Sequence, residues 1–347
     1  MRKQHPLEHI LSSNKRAVRF KTLEELHIHQ ALIDEVVDWA THVEEKGKLA
    51  DYIPQLACVD PHKQAIVIAD AAGNMIESGN GLEERISIQS VVKPFLYIYA
   101  LEQGIPYDAI SYIEPTSLSF NTDAVLNPSS QKSKPGHPLN NAGAISSSGA
   151  IHNFEDFLEF MRQLTGNPEL DILTDVFNSE MDTNANNRAI AYRLVATGRF
   201  KSNQEGKQAL INYTKACSIG ITPVELTRAC VVLSNGGYMN HQPFLETSSV
   251  VRAVNSMNSF GLYERTSEIS LLAAGARALS CKSGVGGLII GIDPYRGAFT
   301  TYGPRLDKTG NSVFGKYALI ALNNLLASPY SMRLSAEEII KEIQSFE

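Results

Sequence analysis

Apolar residues fall at helical spacing near the start of the chain and through its middle, while short continuous apolar runs bounded by turn formers flank that middle. Thr22-Leu23-Glu24-Glu25 has the pattern of a capping box, with Leu26, Ala31, Leu32, Val36 and Trp39 behind it. This predicts one long amphipathic helix from Thr22 to about Glu45, ending near Lys46-Gly47. Ala65 to Ala69 and Met75 to Ser78 read as two strands of a hairpin closed by Asp70-Ala71-Ala72-Gly73-Asn74. A helix follows from near Ser90 to Gln103-Gly104. Helical runs such as Phe154 to Leu164, Asn187 to Ala196 and Pro223 to Leu233 then dominate. Strands return at Gly287 to Ile292 and Ala298 to Tyr302, joined through Asp293-Pro294-Tyr295-Arg296-Gly297. Two helices close the chain, Val313 to Leu326 and, behind the capping box Ser335-Ala336-Glu337-Glu338, a last one to Phe346.

Strands at both ends of a helical middle imply an antiparallel sheet assembled from distant segments, an α/β (α+β) arrangement flanked by helices. The expected organisation is a helical segment over 1–47, a sheet-bearing lobe built from 48–126 and 238–347, and an all-helical lobe over 127–237 inserted into it. The cleft between the lobes is the natural place for a site. There is no internal repeat at solenoid period and no long low-complexity segment.

With 347 residues, 43% hydrophobic and 20% charged, the chain has the composition of an ordinary globular protein. A net charge of −6 and the absence of a basic tract argue against nucleic acid as a partner. No apolar run approaches membrane-spanning length, and the opening Met-Arg-Lys-Gln-His-Pro-Leu-Glu lacks the apolar core of a signal peptide, so a cytoplasmic location is expected. Four irregularly spaced cysteines, Cys58, Cys217, Cys230 and Cys281, read as reduced thiols, and the nine histidines form no metal-ligand pattern. Nucleotide and phosphate-loop signatures are also lacking. The expectation is an enzyme with neither metal nor cofactor.

Ser90-Val91-Val92-Lys93 carries the chemistry. On a helix, residues three apart share a face, so the lysine stem can reach back to the serine hydroxyl as its base. Acting near neutrality requires the ammonium to lose about three units from its reference pKa, which burial, a helix N-terminus and a second cation such as Lys282 would all favour. The same spacing recurs at Ser12 to Lys15 and Ser129 to Lys132, in polar settings without a partner motif. Only Ser90 precedes an apolar run, Phe95 to Leu101, and is matched downstream by Lys282-Ser283-Gly284-Val285-Gly286-Gly287. Pro94 places Ser90 at or near a helix start, where its N–H is free to face an oxyanion.

Over roughly residues 48 to 328 the chain resembles the serine-dependent glutaminases, which share the fold of β-lactamases and penicillin-binding proteins. The resemblance rests on ordered blocks: Asp51 to Ala57, Gln89 to Pro94, Glu114-Pro115 through Asn121, Asn141 to Ile145, and Ser179-Glu180 with Asn187. It continues through Tyr213 with Cys217-Ser218-Ile219, Ser234 to Gly237, Lys282 to Gly287, and Leu306-Asp307 with Gly310-Asn311-Ser312. It implies hydrolysis of L-glutamine to L-glutamate and ammonia, with Ser90 as nucleophile, Lys93 as activator, Tyr263 as proton carrier, and the N–H groups of Ser90 and Val285 as oxyanion hole. Tyr52, Gln89, Asn141, Glu180, Asn187 and Tyr213 match positions that hold the substrate, while Asp307 and Asn311 are read as loop-fixing. The resemblance also implies a homo-oligomer, a dimer or a tetramer.

Several positions depart from the family pattern. Asn186-Asn187 stands for Arg-Asn, His137 for an asparagine before proline, and Ser117 for a glycine. The stretch from Tyr263 to Lys282 is a few residues longer than usual, with Arg277-Ala278-Leu279-Ser280 in place of Gly-Leu-Pro, which bears directly on Tyr263. Asparagine or another small amide or lactam stays open as substrate, because one methylene is worth only ~1–3 kcal/mol in a pocket. A glutamine-binding protein without turnover is the remaining alternative.

Overall fold

Alternate residues of the strand Ala65–Asp70 face two different cores. Ala65 and Ala69 join one apolar cluster, Ile66 and Ile68 the other, and the whole strand is buried. A strand covered on both faces needs no polar alternation, which is why it reads as a continuous apolar run.

The computed structural model describes residues 22–26, 28–111, 134–263, 266 and 279–326. The Glu114 to Asn121 block, Ser117, the tetrapeptides at Ser12 and Ser129, Arg277-Ala278 and the helix expected behind Ser335 lie outside the described residues. The strands are β1 Ala65–Asp70, β2 Met75–Gly79, β3 Ile86–Ser87, β4 Gly220–Ile221, β5 Tyr238–Met239, β6 Gln242–Pro243, β7 Ser280–Ser283, β8 Leu288–Asp293 and β9 Gly297–Tyr302. Five of them form an antiparallel sheet in the order β2-β1-β9-β8-β7, uniting segments more than two hundred residues apart, as the run pattern predicts. Gly291 is opposite Phe299 in this sheet, and a Cβ there would lie 2.0 Å from the phenyl ring, so the ring occupies the space that the glycine leaves. The fold is of the β-lactamase-like type.

The β1–β2 turn is set by Asp70, whose carboxylate accepts from the backbone N–H groups of Ala72 and Asn74. It also accepts from the N–H of Leu23, which corrects the N-terminal expectation. The Thr22 capping box forms, with Glu25 N–H on Thr22 Oγ1 at 3.2 Å, but it closes a separate turn that docks Leu23 and Ile28 into the second core. The helix itself is only Gln30–Thr41, capped by His29, whose Nδ1 accepts from Leu32 N–H. Trp39 of this helix meets Tyr317 of the helix Val313–Leu326 edge to face at 6.0 Å, and both helices cover one side of the sheet.

Helices follow one another from Asn141 to Ser234. Asn141–Ser148, Ala185–Ala196 and Asn203–Cys217 pack together, the first of them also against Lys93–Glu102, whereas Pro223–Ser234 lies across β1, β8 and β9 on the first core. The short ribbon β3–β4 ties the approach to Ser90 to the end of the Asn203–Cys217 helix. No described helix is long and apolar enough to cross a membrane.

Candidate active site

Ser90 sits in a single tight 3₁₀ turn, Gln89–Val92, from which the helix Lys93–Glu102 continues with Pro94 in its first turn. The serine is thus next to a helix start rather than inside a helix, where a proline four residues on would clash with its carbonyl. Gln89, just before it, is held at φ +49°, a left-handed conformation that side chains other than glycine seldom adopt. Ile88 N–H bonds Ile219 O at 2.9 Å, and Gln89 Nε2 donates to Ser87 Oγ at 3.3 Å and Glu180 Oε1 at 3.0 Å, so the surroundings fix the strained residue.

The turn between β7 and β8 runs against this segment. A Cβ on Gly284 would stand a tight 3.2 Å from Ser90 N, and one on Gly286 would stand 2.6 Å from Ser87 O, so at Gly286 the approach requires glycine. Val285 lies between them and lines the same cavity as Ser90.

That cavity, about 380 Å³, gathers all ten residues that the sequence singles out. Ser90, Lys93, Tyr263 and Val285 lie on its wall together with Gln89 and Asn141. Tyr52, Glu180, Asn187 and Tyr213 complete the set. A larger groove of about 870 Å³ opens elsewhere, between the β1–β2 turn and the β5–β6 hairpin, and contains none of them.

Lys93 and Lys282 are both buried completely. Lys93 Nζ donates to Asn141 Oδ1 at 2.6 Å, and that oxygen also accepts from Tyr213 OH at 3.3 Å. Burial pulls the Lys93 ammonium down to about 8, against a smaller opposing pull from Cys217. Lys282 Nζ donates to Ser283 O at 2.5 Å and Gly261 O at 3.3 Å, and lies 4.7 Å from the Tyr263 ring centroid. Burial, then the charge of Lys93, hold it well below the ordinary lysine range. Tyr263 has φ +54° at the end of the turn after Phe260 and lines the cavity.

The opposite wall is a carboxylate on two donors. Glu180 Oε1 accepts from Tyr52 OH at 2.8 Å and Gln89 Nε2 at 3.0 Å; burial raises its pKa, while those two hydrogen bonds pull the other way. Asn187 Oδ1 accepts from Asn141 Nδ2 at 3.0 Å, linking the two asparagines across the floor. The site therefore joins a serine next to an easily neutralised lysine with a carboxylate and amide groups suited to the ends of an amino acid.

Cys217 and Thr309 also line the cavity, two positions outside the set that the sequence marks for a site. Cys217 is four residues after Tyr213 on one helix, a spacing that would have revealed it. Burial pushes its thiol up to about 12, so it is a poor nucleophile. Thr309 arrives on the Asp307 loop, where its N–H and Oγ1 both donate to Asp307 Oδ1, a tertiary placement with no local signal. Among the described residues no cluster of His, Cys, Asp and Glu could hold a metal ion.

A family model described as Glutaminase matches residues 47–329. A glutaminase of Clostridioides difficile (strain 630) is 34% identical over 309 residues, which are 86% of this chain and 97% of that one. Among solved structures, the probable glutaminase ybaS superimposes with a TM-score of 0.75 at 29% identity, covering 86% of this chain and 98% of its own. A probable glutaminase from Bacillus subtilis complexed with 6-diazo-5-oxo-L-norleucine superimposes at 0.72 and 26% identity, covering 84% of this chain and 94% of that one.

Proposed function

The chain belongs to the glutaminase family and is a glutaminase hydrolase, and from that premise we propose that it cleaves L-glutamine through an acyl-enzyme on Ser90. The observation that carries this reading is the buried Lys93 beside Ser90 in the same cavity as Glu180. An ammonium pulled down to about 8 is neutral in a useful fraction of molecules near neutral pH.

In the proposed reaction neutral Lys93 takes the Ser90 proton as Oγ attacks the side-chain carbonyl carbon of glutamine. Negative charge develops on the carbonyl oxygen, and the N–H groups of Ser90 and Val285 receive it, each such donor being worth ~2.7–4 kcal/mol. The C–N bond breaks as Tyr263 passes a proton to the leaving nitrogen, releasing ammonia. Tyr263 recovers its proton from the Lys93 ammonium, and Lys282 over its ring restrains it. Water then attacks the ester carbonyl, giving its proton to neutral Lys93, and the C–O bond breaks as the Lys93 ammonium returns that proton to Ser90 Oγ, releasing glutamate.

Glu180, with Tyr52 and Gln89 behind it, takes the α-ammonium. Amide N–H groups of Asn141 and Asn187 supply donors to the α-carboxylate, and the Tyr213 hydroxyl can turn from Asn141 Oδ1 to join them. Fixing both ends holds the amide against Ser90, so proximity contributes to rate. The probable glutaminase from Bacillus subtilis was solved with an L-norleucine derivative that carries an oxo group on its fifth carbon, the position of the amide carbonyl in glutamine. Four free cysteines suit a reducing cytoplasm, which is the location we propose. A homodimer or homotetramer is the assembly that the family resemblance supports, and sedimentation would size it.

Ammonia release from L-glutamine, D-glutamine and L-asparagine, with Ser90→Ala as control, tests the reading. Turnover of L-glutamine that vanishes in Ser90→Ala is expected. Survival in that variant would overturn the mechanism, and activity confined to another amide would overturn the substrate.

A further inference from the structure

We propose that His137 is a positioning residue of the active site, tying the turn that supports Lys282 to the turn that supports Lys93. The inference rests on the acyl-enzyme reading above for the roles of the two lysines.

His137 is only 1% exposed and touches both supports. Its ring stacks on Phe260 with centroids 4.2 Å apart and planes 9° from parallel. Phe260 ends the helix Thr247–Phe260, and the next residue is Gly261, whose carbonyl accepts from Lys282 Nζ at 3.3 Å and from Ser283 N–H at 3.2 Å. A Cβ on Gly261 would lie 1.6 Å from Cys281 O, so this turn is seated directly on the strand that carries Lys282. Where Phe260 is held, the Gly261 carbonyl is held with it.

On its other side His137 Nδ1 accepts from Leu139 N–H at 3.2 Å. That bond closes the turn leading to Asn140, which caps the helix Asn141–Ser148 through Gly143 N–H at 2.7 Å. Asn141, the first residue of the helix, is the acceptor for Lys93 at 2.6 Å. The backbone of His137 is part of the same joint, because a Cβ on Gly143 would lie 2.3 Å from His137 O. One side chain thus braces the acceptor of each lysine.

The chemistry of the position favours an imidazole. A phenyl ring would stack on Phe260 but leave Leu139 N–H without its acceptor, and a short amide would accept but not stack. Accepting at Nδ1 fixes the proton on Nε2 and requires a neutral ring. Burial, then the charges of Lys93 and Lys282, push the His137 pKa down to about 3, so the ring stays neutral and adds no third cation. Lys93 is further faced by Cys217 and Tyr213 from the helix Asn203–Cys217, and Lys282 by Tyr263. None of these replaces the brace.

The test compares His137→Ala, His137→Phe and His137→Gln with the parent, in kcat and KM for L-glutamine, the pH profile of kcat/KM, and lysine side-chain titrations followed by NMR. His137→Ala is expected to lower kcat about 10- to 100-fold, as a misplacement near 1 Å does, with KM within about threefold. The acid limb of kcat/KM and the Lys93 titration should move to lower pH together, because the ammonium loses an aligned acceptor. The Phe and Gln variants should each fall between parent and Ala, and they decide the matter if Ala does not fold. Folded variants with the parent's kcat, limb and lysine titrations, or with only a lowered melting temperature, overturn the proposal. If the parent does not hydrolyse glutamine, or does so without Ser90, the acyl-enzyme reading fails, while the lysine titrations in the variants still decide the role of His137.

Discussion

Lys93 Nζ and Asn141 Oδ1 are 2.6 Å apart, with the lysine fully buried and the asparagine also receiving Tyr213 OH at 3.3 Å. The acceptor favours the ammonium, burial favours the amine, and burial prevails, bringing the group to about 8. A base must be neutral, so kcat/KM should rise with pH through an apparent pKa near 8. Asn141→Asp places a carboxylate against the ammonium and should move this limb about 1–3 units higher, while KM rises separately because the α-carboxylate loses a donor and meets a like charge. The pH dependence of kcat/KM in the two proteins checks this, and a limb that stays where it is would count against Lys93 as the base.

The same lysine should cost stability. Its native pKa is lowered from 10.5 to about 8, so between those values the unfolded chain binds more protons, stability rises with pH across that window, and the penalty is complete below it. Lys93→Met keeps the apolar stem, and Asn141 Oδ1 keeps Tyr213 as donor. We expect the variant to be inactive yet about 1–3 kcal/mol more stable at pH 7, with the gain shrinking toward pH 10. Denaturant melts at both pH values measure it.

Glu180 has the charge that an α-ammonium requires, and Tyr52 and Gln89 hold its carboxylate in place through Oε1. Glu180→Gln should raise KM for L-glutamine about 30-fold or more, the cost of leaving a buried cation unpaired, with a smaller change in kcat. Glutaramate, which lacks the α-amino group, should lose little on the same substitution. Burial raises the Glu180 pKa, so in the parent KM should increase as pH falls through that raised value. Equal losses on both substrates would remove Glu180 from the ammonium subsite.

What the sequence made legible follows the range of each interaction. β1 and the β8–β9 pair are apolar runs closed by turn residues within five positions, and the Ser90 turn is announced by Pro94. The capping box at Thr22 forms its hydrogen bond, but it closes a turn, and the helix that the periodicity predicts from Thr22 begins only at Gln30. The deciding contact, Leu23 N–H on Asp70, spans 47 residues. The ten cavity-lining residues are legible because blocks of sequence around them match a family, not because spacing along the chain brings Tyr52 to Glu180 across 128 residues. The seat of Lys282 on Gly261 and the stacking of His137 on Phe260 are tertiary contacts of the same kind, and His137 stood out only as a departure from the family's asparagine.

Gln89 combines two effects that two substitutions can separate. Its backbone is at φ +49°, and its amide holds both Ser87 and Glu180. Gln89→Ala deletes the amide and keeps the strain, whereas Gln89→Gly deletes both, because glycine adopts the left-handed region without a Cβ clash. The glycine variant should therefore be about 1–2 kcal/mol more stable than the alanine variant, offset in part by the greater freedom of glycine in the unfolded chain. Both should raise KM for glutamine by a similar factor, since each takes one of two donors from Glu180 and lets its pKa climb further. Thermal melts and KM on the pair of variants read the two effects independently. Equal melting temperatures would show that the turn relaxes once the amide is gone, so that the side chain, rather than the flanking β3–β4 pairing, imposes the left-handed conformation next to Ser90.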